Sequence, residues 1–300
     1  MLSFHPLSLA DKSWIDRHVF EENSRSADFN FGNMFLWDGR YRQMVADDDR
    51  HLVTLCCAYE HPVFPFPIGC GDLAPVLADM RDYAAANGFP LVIKGLEERH
   101  VALVNALFPG CFDCTEDRDY ADYLYSADKL ISLAGKKLHG KRNHINRFTA
   151  EHDWSFRDLT PELFPDCLAL LARWAEDADN AAGTVDGEHA AIARAFEHYG
   201  ALDLLGGALF AEGELVGFTV GEKISADTFD VHFEKARADL NGAYPTVNRE
   251  FVKLVRERYP EIAYINREDD MGLENLRKSK ESYDPDILLR KFTVRWRETA

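Results

Sequence analysis

The sequence predicts an α/β protein with mixed sheets, built from two copies of one unit. Three observations point there. Segments of period two alternate with segments of helical period along the whole chain. The C-terminal half reads β-α-α-β-β-β-α-β-α-β, and the N-terminal half repeats much of that order. A length of 300 residues suits two domains of about 150 residues each. The likeness between the halves lies in element order, not in residues.

In the N-terminal half, Phe4–Leu7 reads as a strand and Asp11–Glu22 as a helix, with Ser8 or Ala10-Asp11 near its start. Phe29-Asn30-Phe31 and Trp37 form an aromatic segment, read as core ahead of an acceptor pocket. Tyr41–Ala46, Leu52–Ala58 and Val63–Pro67 are strands, the first two joined by Asp47-Asp48-Asp49. Ala74–Ala86 is a helix closed by Asn87-Gly88. Leu91–Ile93 is a strand, Glu97–Leu107 a helix stopped by Pro109-Gly110, and Tyr120–Tyr125 a strand. A basic stretch, Gly135 to Phe148, follows as a helix with Leu138, Ile145 and Phe148 on one side. The boundary is expected near residue 149, giving units 1–148 and 149–300.

The C-terminal half opens with the strand Trp154–Arg157 and the helix Pro161–Asp179, with Pro in its first turn and Thr160 as cap. Gly187–Tyr199 is a second helix, ended by Gly200. Gly207–Ala211 and Leu215–Glu222 form a hairpin over Glu212-Gly213-Glu214. Thr228–Lys235 alternates, with Phe229, Val231 and Phe233 on one face and Asp230, His232 and Glu234 on the other. Thr246–Tyr259 is a helix, Ile262–Ile265 a strand, Leu273–Tyr283 a helix and Ile287–Arg295 a strand.

An apolar share of 46% is enough for a sizeable core and argues against disorder. The formal charge of -17 opposes DNA binding and anionic membrane surfaces, because most of the field repels phosphate. Apolar runs such as Leu168–Ala172 are far short of a membrane span. The start lacks a basic segment and a long apolar one, so a cytoplasmic protein with reduced thiols is expected. Of six cysteines, Cys111 and Cys114 have CxxC spacing, but no second pair stands by, so no metal site is expected.

The stretches carrying chemistry are Gly135-Lys136-Lys137 through Phe148, then Val231-His232-Phe233-Glu234-Lys235, then Asn266-Arg267-Glu268-Asp269-Asp270-Met271-Gly272, and Leu276-Arg277-Lys278-Ser279-Lys280 with Tyr283. With the element order, they resemble the tandem-GNAT transferases. The closest likeness is to the C-terminal region of phosphatidylglycerol lysyltransferases and soluble relatives of unassigned function. The peptidoglycan-bridge aminoacyltransferases look like more distant cousins. The resemblance implies two tandem GNAT-like units and transfer of an acyl or aminoacyl group to an amine or hydroxyl. The donor would be acyl-CoA (coenzyme A as co-substrate) or aminoacyl-tRNA. The chain departs from the lipid-modifying enzymes in having no membrane-spanning part. It also lacks the Gly-rich pyrophosphate signature Arg/Gln-x-x-Gly-x-Gly/Ala; Asp239-Leu240-Asn241-Gly242-Ala243-Tyr244-Pro245-Thr246 stands in its place.

Each candidate has a functional and a structural reading. Asn241, Gly242, Ala243, Tyr244 and Thr246 open a helix whose N–H groups would favour a phosphate, or they form an ordinary start capped by Thr246. Asp230, His232 and Glu234 supply a base or hold substrate, or make a solvated strand face. Glu268 and Asp269 raise one another's pKa and attract a cationic amine, or cap the next helix, a role assigned to Asp269 or Asp270. Asn266 can bond an amide-rich donor arm, and Arg267 can pair with an acid or a phosphate. The resemblance gives Tyr283 the role of protonating a departing thiolate. Arg277, Lys278 and Lys280 touch a donor phosphate or form a solvated face. Lys137, Lys141, Arg142 and Arg147, with Asn143, present a basic helix face to donor or substrate, or pair with the chain's own acids.

The leading expectation is a cytoplasmic N-acyltransferase that moves an acyl group from acyl-CoA to a small amine by direct attack. No Cys or Ser stands in a recognisable nucleophile motif. The alternatives are an aminoacyl-tRNA donor, which the net charge disfavours, and a non-catalytic ligand sensor or scaffold.

Overall fold

A computed structural model describes residues 2–48, 50–177 and 182–297. In chain order the elements are β1 (His5–Pro6), α1 (Lys12–Glu22), α2 (Phe31–Tyr41), β2 (Gln43–Asp47), β3 (His51–Cys56), β4 (Phe64–Pro65), β5 (Ile68–Gly69), α3 (Leu73–Ala86), β6 (Val92–Leu96), α4 (Glu98–Leu107), β7 (Phe112–Glu116), β8 (Asp122–Ser126), α5 (Ala127–Ser132) and α6 (His139–Glu151). They continue with β9 (Trp154–Asp158), α7 (Phe164–Asp177), α8 (Ala182–Glu197), β10 (Leu205–Ala211), β11 (Glu214–Lys223), β12 (Thr228–Ala236), α9 (Ala243–Arg258), β13 (Tyr264–Asn266), α10 (Glu274–Glu281), β14 (Ile287–Leu289) and β15 (Phe292–Trp296). Asp49 of the expected first turn and the expected helix end at Asp179 lie outside the described residues.

Four elements escaped the sequence reading: α2, β5, β7 and α5. Helix α2 covers the aromatic segment, where Gly32 and Gly39 weaken the helical signal. Asn30 starts it, its side chain accepting the N–H of Asn33 at 2.6 Å, and Phe29 and Phe31 are core. Strand β7 follows the Pro109-Gly110 stop and contains Cys114, a free thiol like Cys111.

The chain forms two compact units. The first runs to Asp122 and takes in Asp269–Leu273 and the chain from Leu288 onward. The second comprises Tyr123–Glu268 and Glu274–Ile287. The division thus falls between residues 122 and 123 rather than near 149, and the basic helix α6 lies in the second unit. The reason is strand placement. Strand β8, expected to end the N-terminal copy, pairs antiparallel with β13 in the seven-stranded order β14-β8-β13-β12-β11-β10-β9. Strand β15, from the chain's end, lies between β6 and β7 in the order β4-β6-β15-β7. The expected strand Ile287–Arg295 is therefore two strands in two sheets. They part at Lys291, a buried cation 2.7 Å from Asp122 and 2.9 Å from Asp28.

In the second unit, β10 and β11 join through Glu212 (φ 50°) and Gly213 (φ 80°), the two left-handed residues of a tight hairpin turn. Helices α6 and α9 cover one side of this sheet, with Phe148, Val247 and Ala243 packed on Leu209, Val216 and Ala236. Between Val220 and Gly221 the β11–β12 register shifts: Thr219 faces Glu234 but Glu222 faces Asp230. Strand β12 thus carries one extra residue, and the period-two pattern flips across it. Glu234 bonds Asn248 of α9 on one side of the sheet. Phe229, five residues away, packs on Phe251 of the same helix. Asp230, next to Phe229, faces the other way. The expectation that Asp230, His232 and Glu234 share a face fails for this reason. The solvated-face reading fails too, since Asp230 is 0% and His232 7% exposed.

Candidate active site

Strand β13 runs parallel to β12 only from Thr228↔Tyr264 to Asp230↔Asn266. Strand β12 continues to Ala236, so residues 231–236 have no strand partner on that edge among the described residues. The chain leaving β13 turns sharply here. Asn266, fully buried, accepts the N–H of Glu268 at 2.7 Å, and Glu268 adopts the left-handed conformation (φ 56°). Tyr123 of β8 clamps the turn, accepting from Arg267 N–H at 3.0 Å and donating to the Glu268 carbonyl at 3.2 Å. Consecutive residues leave a strand end in opposite directions, so Glu268 and Arg267 serve opposite sides of the sheet.

On one side His232 stands among three carboxylates. Its Nε2 lies 2.9 Å from Glu222 Oε1 and its Nδ1 3.1 Å from Glu268 Oε1. Asp230 Oδ2 is 3.5 Å from the same Nδ1. Burial alone would lower the imidazole's pKa. The bonds to Glu222 and Glu268 and the charge of Asp230 outweigh it and hold the pKa well above the ordinary value. The surroundings thus favour the protonated imidazole, whose two ring nitrogens are both donors. Glu268 is the accessible member, with a side chain 24% exposed. Asp230, His232 and Glu268 also bring one ligand atom each within 4.8 Å of one another, a set able to hold a divalent ion, with Glu222 orienting the imidazole.

On the α9 side Arg267 Nη2 meets Glu234 Oε1 at 3.0 Å, and Asn248 donates to Glu234 Oε2 at 2.9 Å. The guanidinium lies 4.9 Å from the Tyr283 ring centre, and Lys141 Nζ lies 4.1 Å from the same centre. Tyr125 donates to the Lys280 carbonyl at 2.7 Å, and Lys280 Nζ donates to the Arg267 carbonyl at 2.5 Å. Tyr283 is 3% exposed; burial pushes its pKa up against the pull of Arg267, so it keeps its proton. Lys141 has a lowered pKa, first from burial and then from the charge of Arg267.

The other expected groups are placed differently. Glu268 and Asp269 do not act as a pair. Asp269 lies in the first unit and accepts the N–H of Met271 at 3.0 Å. Asp270 is buried, accepts the N–H of Gly272 at 2.9 Å and meets Arg118 at 3.2 Å, a larger role than capping. Gly242, not Thr246, precedes α9, with φ 96°. The N–H of Ala243 goes to the Leu240 carbonyl and that of Thr246 to the Gly242 carbonyl, while Pro245 has none. The buried Thr246 hydroxyl also donates to the Gly242 carbonyl, at 2.7 Å, and Asn241 Oδ1 is 2.6 Å from His144 Nδ1. That leaves Tyr244 on a helix start with few donors for a diphosphate. Lys278 is exposed and pairs with Glu274 at 2.5 Å. Arg142 holds the carbonyls of Leu133 and Gly135, and Asn143 bonds His139 at 3.0 Å. Lys137 pairs with Asp284 and Arg147 with Glu151, so the structural reading holds for much of the basic helix. Glu222 and Thr219 went unnoticed in the sequence, because the register shift that aligns Thr219 with Glu234 and Glu222 with Asp230 leaves no mark in the alternation, and Asn248 because it meets Glu234 only through the packing of α9 on the sheet.

Residues 21–295 match the family described as Phosphatidylglycerol lysyltransferase, C-terminal. The chain belongs to this family. It is similar to a conserved protein of unknown function from Bacteroides thetaiotaomicron, with 36% identity over 99% of this chain and 100% of that one and a TM-score of 0.92. It is also similar to L-PGS from Bacillus licheniformis, at 14% identity, 88% and 86% coverage and a TM-score of 0.61. A tandem GNAT protein from the clavulanic acid biosynthesis pathway shares 12% identity over 100% of both chains, with a TM-score of 0.52. Those last two likenesses are of fold, and the fold is the tandem-GNAT pair expected from the element order. An uncharacterized protein of Mycoplasmoides gallisepticum is 25% identical over 179 residues, so the chain spans about half (56%) of that curated relative. The phosphatidylglycerol lysyltransferase C-terminal family carries the name of a transferase. Among the described residues, no helix is long and apolar enough to cross a membrane.

Proposed function

We propose that this family member transfers an acyl group from an acyl-CoA thioester to a primary amine by direct attack. One observation carries the reading: β12 outruns β13, and Glu268 stands at the head of the resulting gap. A strand edge without a neighbouring strand can take an extended, amide-bearing chain such as a pantetheine arm. Glu268, Asp230 and Glu222 draw a cationic amine to the other side of that edge. No protein donor among the described residues reaches Glu268 Oε2, which takes the ammonium's proton. The freed nitrogen attacks the thioester carbon; the C–N bond forms, the C–S bond breaks, and the thiolate leaves and takes up the second proton that the nitrogen sheds. His232 is a positioning residue that fixes Glu268 and offsets part of the acidic charge. Tyr283, buried beside two cations, is assigned to holding them rather than to proton transfer.

An aminoacyl-tRNA donor is the second reading, favoured by family membership and by the few donors at the start of α9. Release of free thiol from acyl-CoA in the presence of an amine panel tests the first. Glu268→Gln should lower kcat by about 100-fold or more, with the donor KM little changed. Undiminished turnover in that variant would remove Glu268 as the base. Transfer from charged tRNA but from no thioester would move the assignment to the second reading.

A further inference from the structure

On the α9 side, two cations face one carboxylate. Glu234 is the acid shared by Arg267 and Asn248, and no carboxylate among the described residues pairs with Lys141. Arg267 Nη1 is buried with no hydrogen bond of ordinary geometry, although the Tyr283 side chain interacts with the guanidinium. Two further orphans surround the same acid. Asn248 Oδ1 lacks a partner although Asn248 Nδ2 bonds Glu234. Thr219 Oγ1 lacks one too, and Thr219 lies directly opposite Glu234 across the ladder. Buried polar groups are nearly always satisfied in a folded protein, so orphans gathered at one place mark a missing polar ligand. Both Arg267 and Lys141 lie over the ring of Tyr283, at 4.9 and 4.1 Å, and the charge of Arg267 acts on Lys141, so the two cations are neighbours. Among Arg267, Lys141 and Glu234 the net charge is a single positive one, which suits a monoanion.

We propose that this place binds the carboxylate of a substrate, held by Arg267 Nη1 and Lys141 Nζ. Resting on the transfer reading above, the simplest such substrate is an amine acceptor that also carries a carboxylate, an amino acid or a short peptide. Thr219 and Asn248 then meet its remaining polar atoms. Arg267 and Glu268 are consecutive residues just beyond the end of β13, so one molecule can present its amine to Glu268 and its carboxylate to Arg267.

The experiment is calorimetric titration of the full chain, without donor, by β-alanine, 4-aminobutyrate and glycylglycine, each against its amide. The carboxylate form should bind about tenfold tighter or better. Lys141→Met should fall to the level of the amide, its fold checked by an unchanged melting temperature without ligand. Arg267→Lys should weaken carboxylate binding and leave amide binding unchanged. Equal affinity for carboxylate and amide, or a preference that survives Lys141→Met, overturns the proposal. So does tighter, Lys141-dependent binding of inorganic phosphate or CoA, which would make this a donor-phosphate site. The titration needs no turnover. A carboxylate preference without acyl transfer would keep the site and discard the transferase reading.

Discussion

His232 shows how a side chain's role follows from its neighbours. As a residue type at a strand centre it reads as a candidate base; among Glu222, Glu268 and Asp230 it is a fixed cation. Its folded pKa is raised, so the stabilisation it provides is complete below about 6.5, the unfolded value, and is lost as pH rises through the folded value. His232→Gln should therefore destabilise by about 3–5 kcal/mol at pH 6, because buried acids lose their partner. The gap to the parent chain should narrow at pH 9. Urea unfolding at the two pH values measures it, and a gap that is unchanged or wider at pH 9 would refute the charged assignment. The stretch from Asn266 to Glu268 was legible as a candidate because acids crowd a strand end. Glu222 was not, since a residue on the neighbouring strand enters only through pairing.

At the scale of elements, the helix start at Gly242 illustrates a motif whose chemistry is decided by packing. A β-carbon there would stand 2.3 Å from the carbonyl of His144 on α6, and φ is 96°. Gly242→Ala should cost about 1–3 kcal/mol, seen as a lower melting temperature. Adding His144→Ala should not restore it, because the obstacle is backbone; rescue by the double variant would contradict that account. The glycine thus serves the close approach of two helices. Most helices and strands were readable from periodicity, with ends shifted by a few residues. Helix α2 was hidden by its glycines and aromatics, and the break at Lys291 by a continuous extended pattern.

For the whole molecule, the order of elements and the membership of the sheets are separate matters. Strand β15 ends the chain yet lies between β6 and β7 of the first unit. Truncation after Lys291 should therefore strip hydrogen-exchange protection from β6 and β7 by about tenfold or more while β10, β11 and β12 keep theirs. Loss centred on β10 to β12 would contradict this placement. The sequence by itself determined the α/β class, the repeated element order, the family likeness and the stretch where acids meet a strand end, because periodicity, turn residues and local charge are properties of neighbours in the chain. Tertiary structure alone decided which strands each unit owns, which side of the sheet Glu234 and Asp230 take, and which groups are left without partners around Arg267. Those depend on pairing and burial between residues far apart in the chain: a one-residue register shift or a buried orphan exists only once distant segments meet.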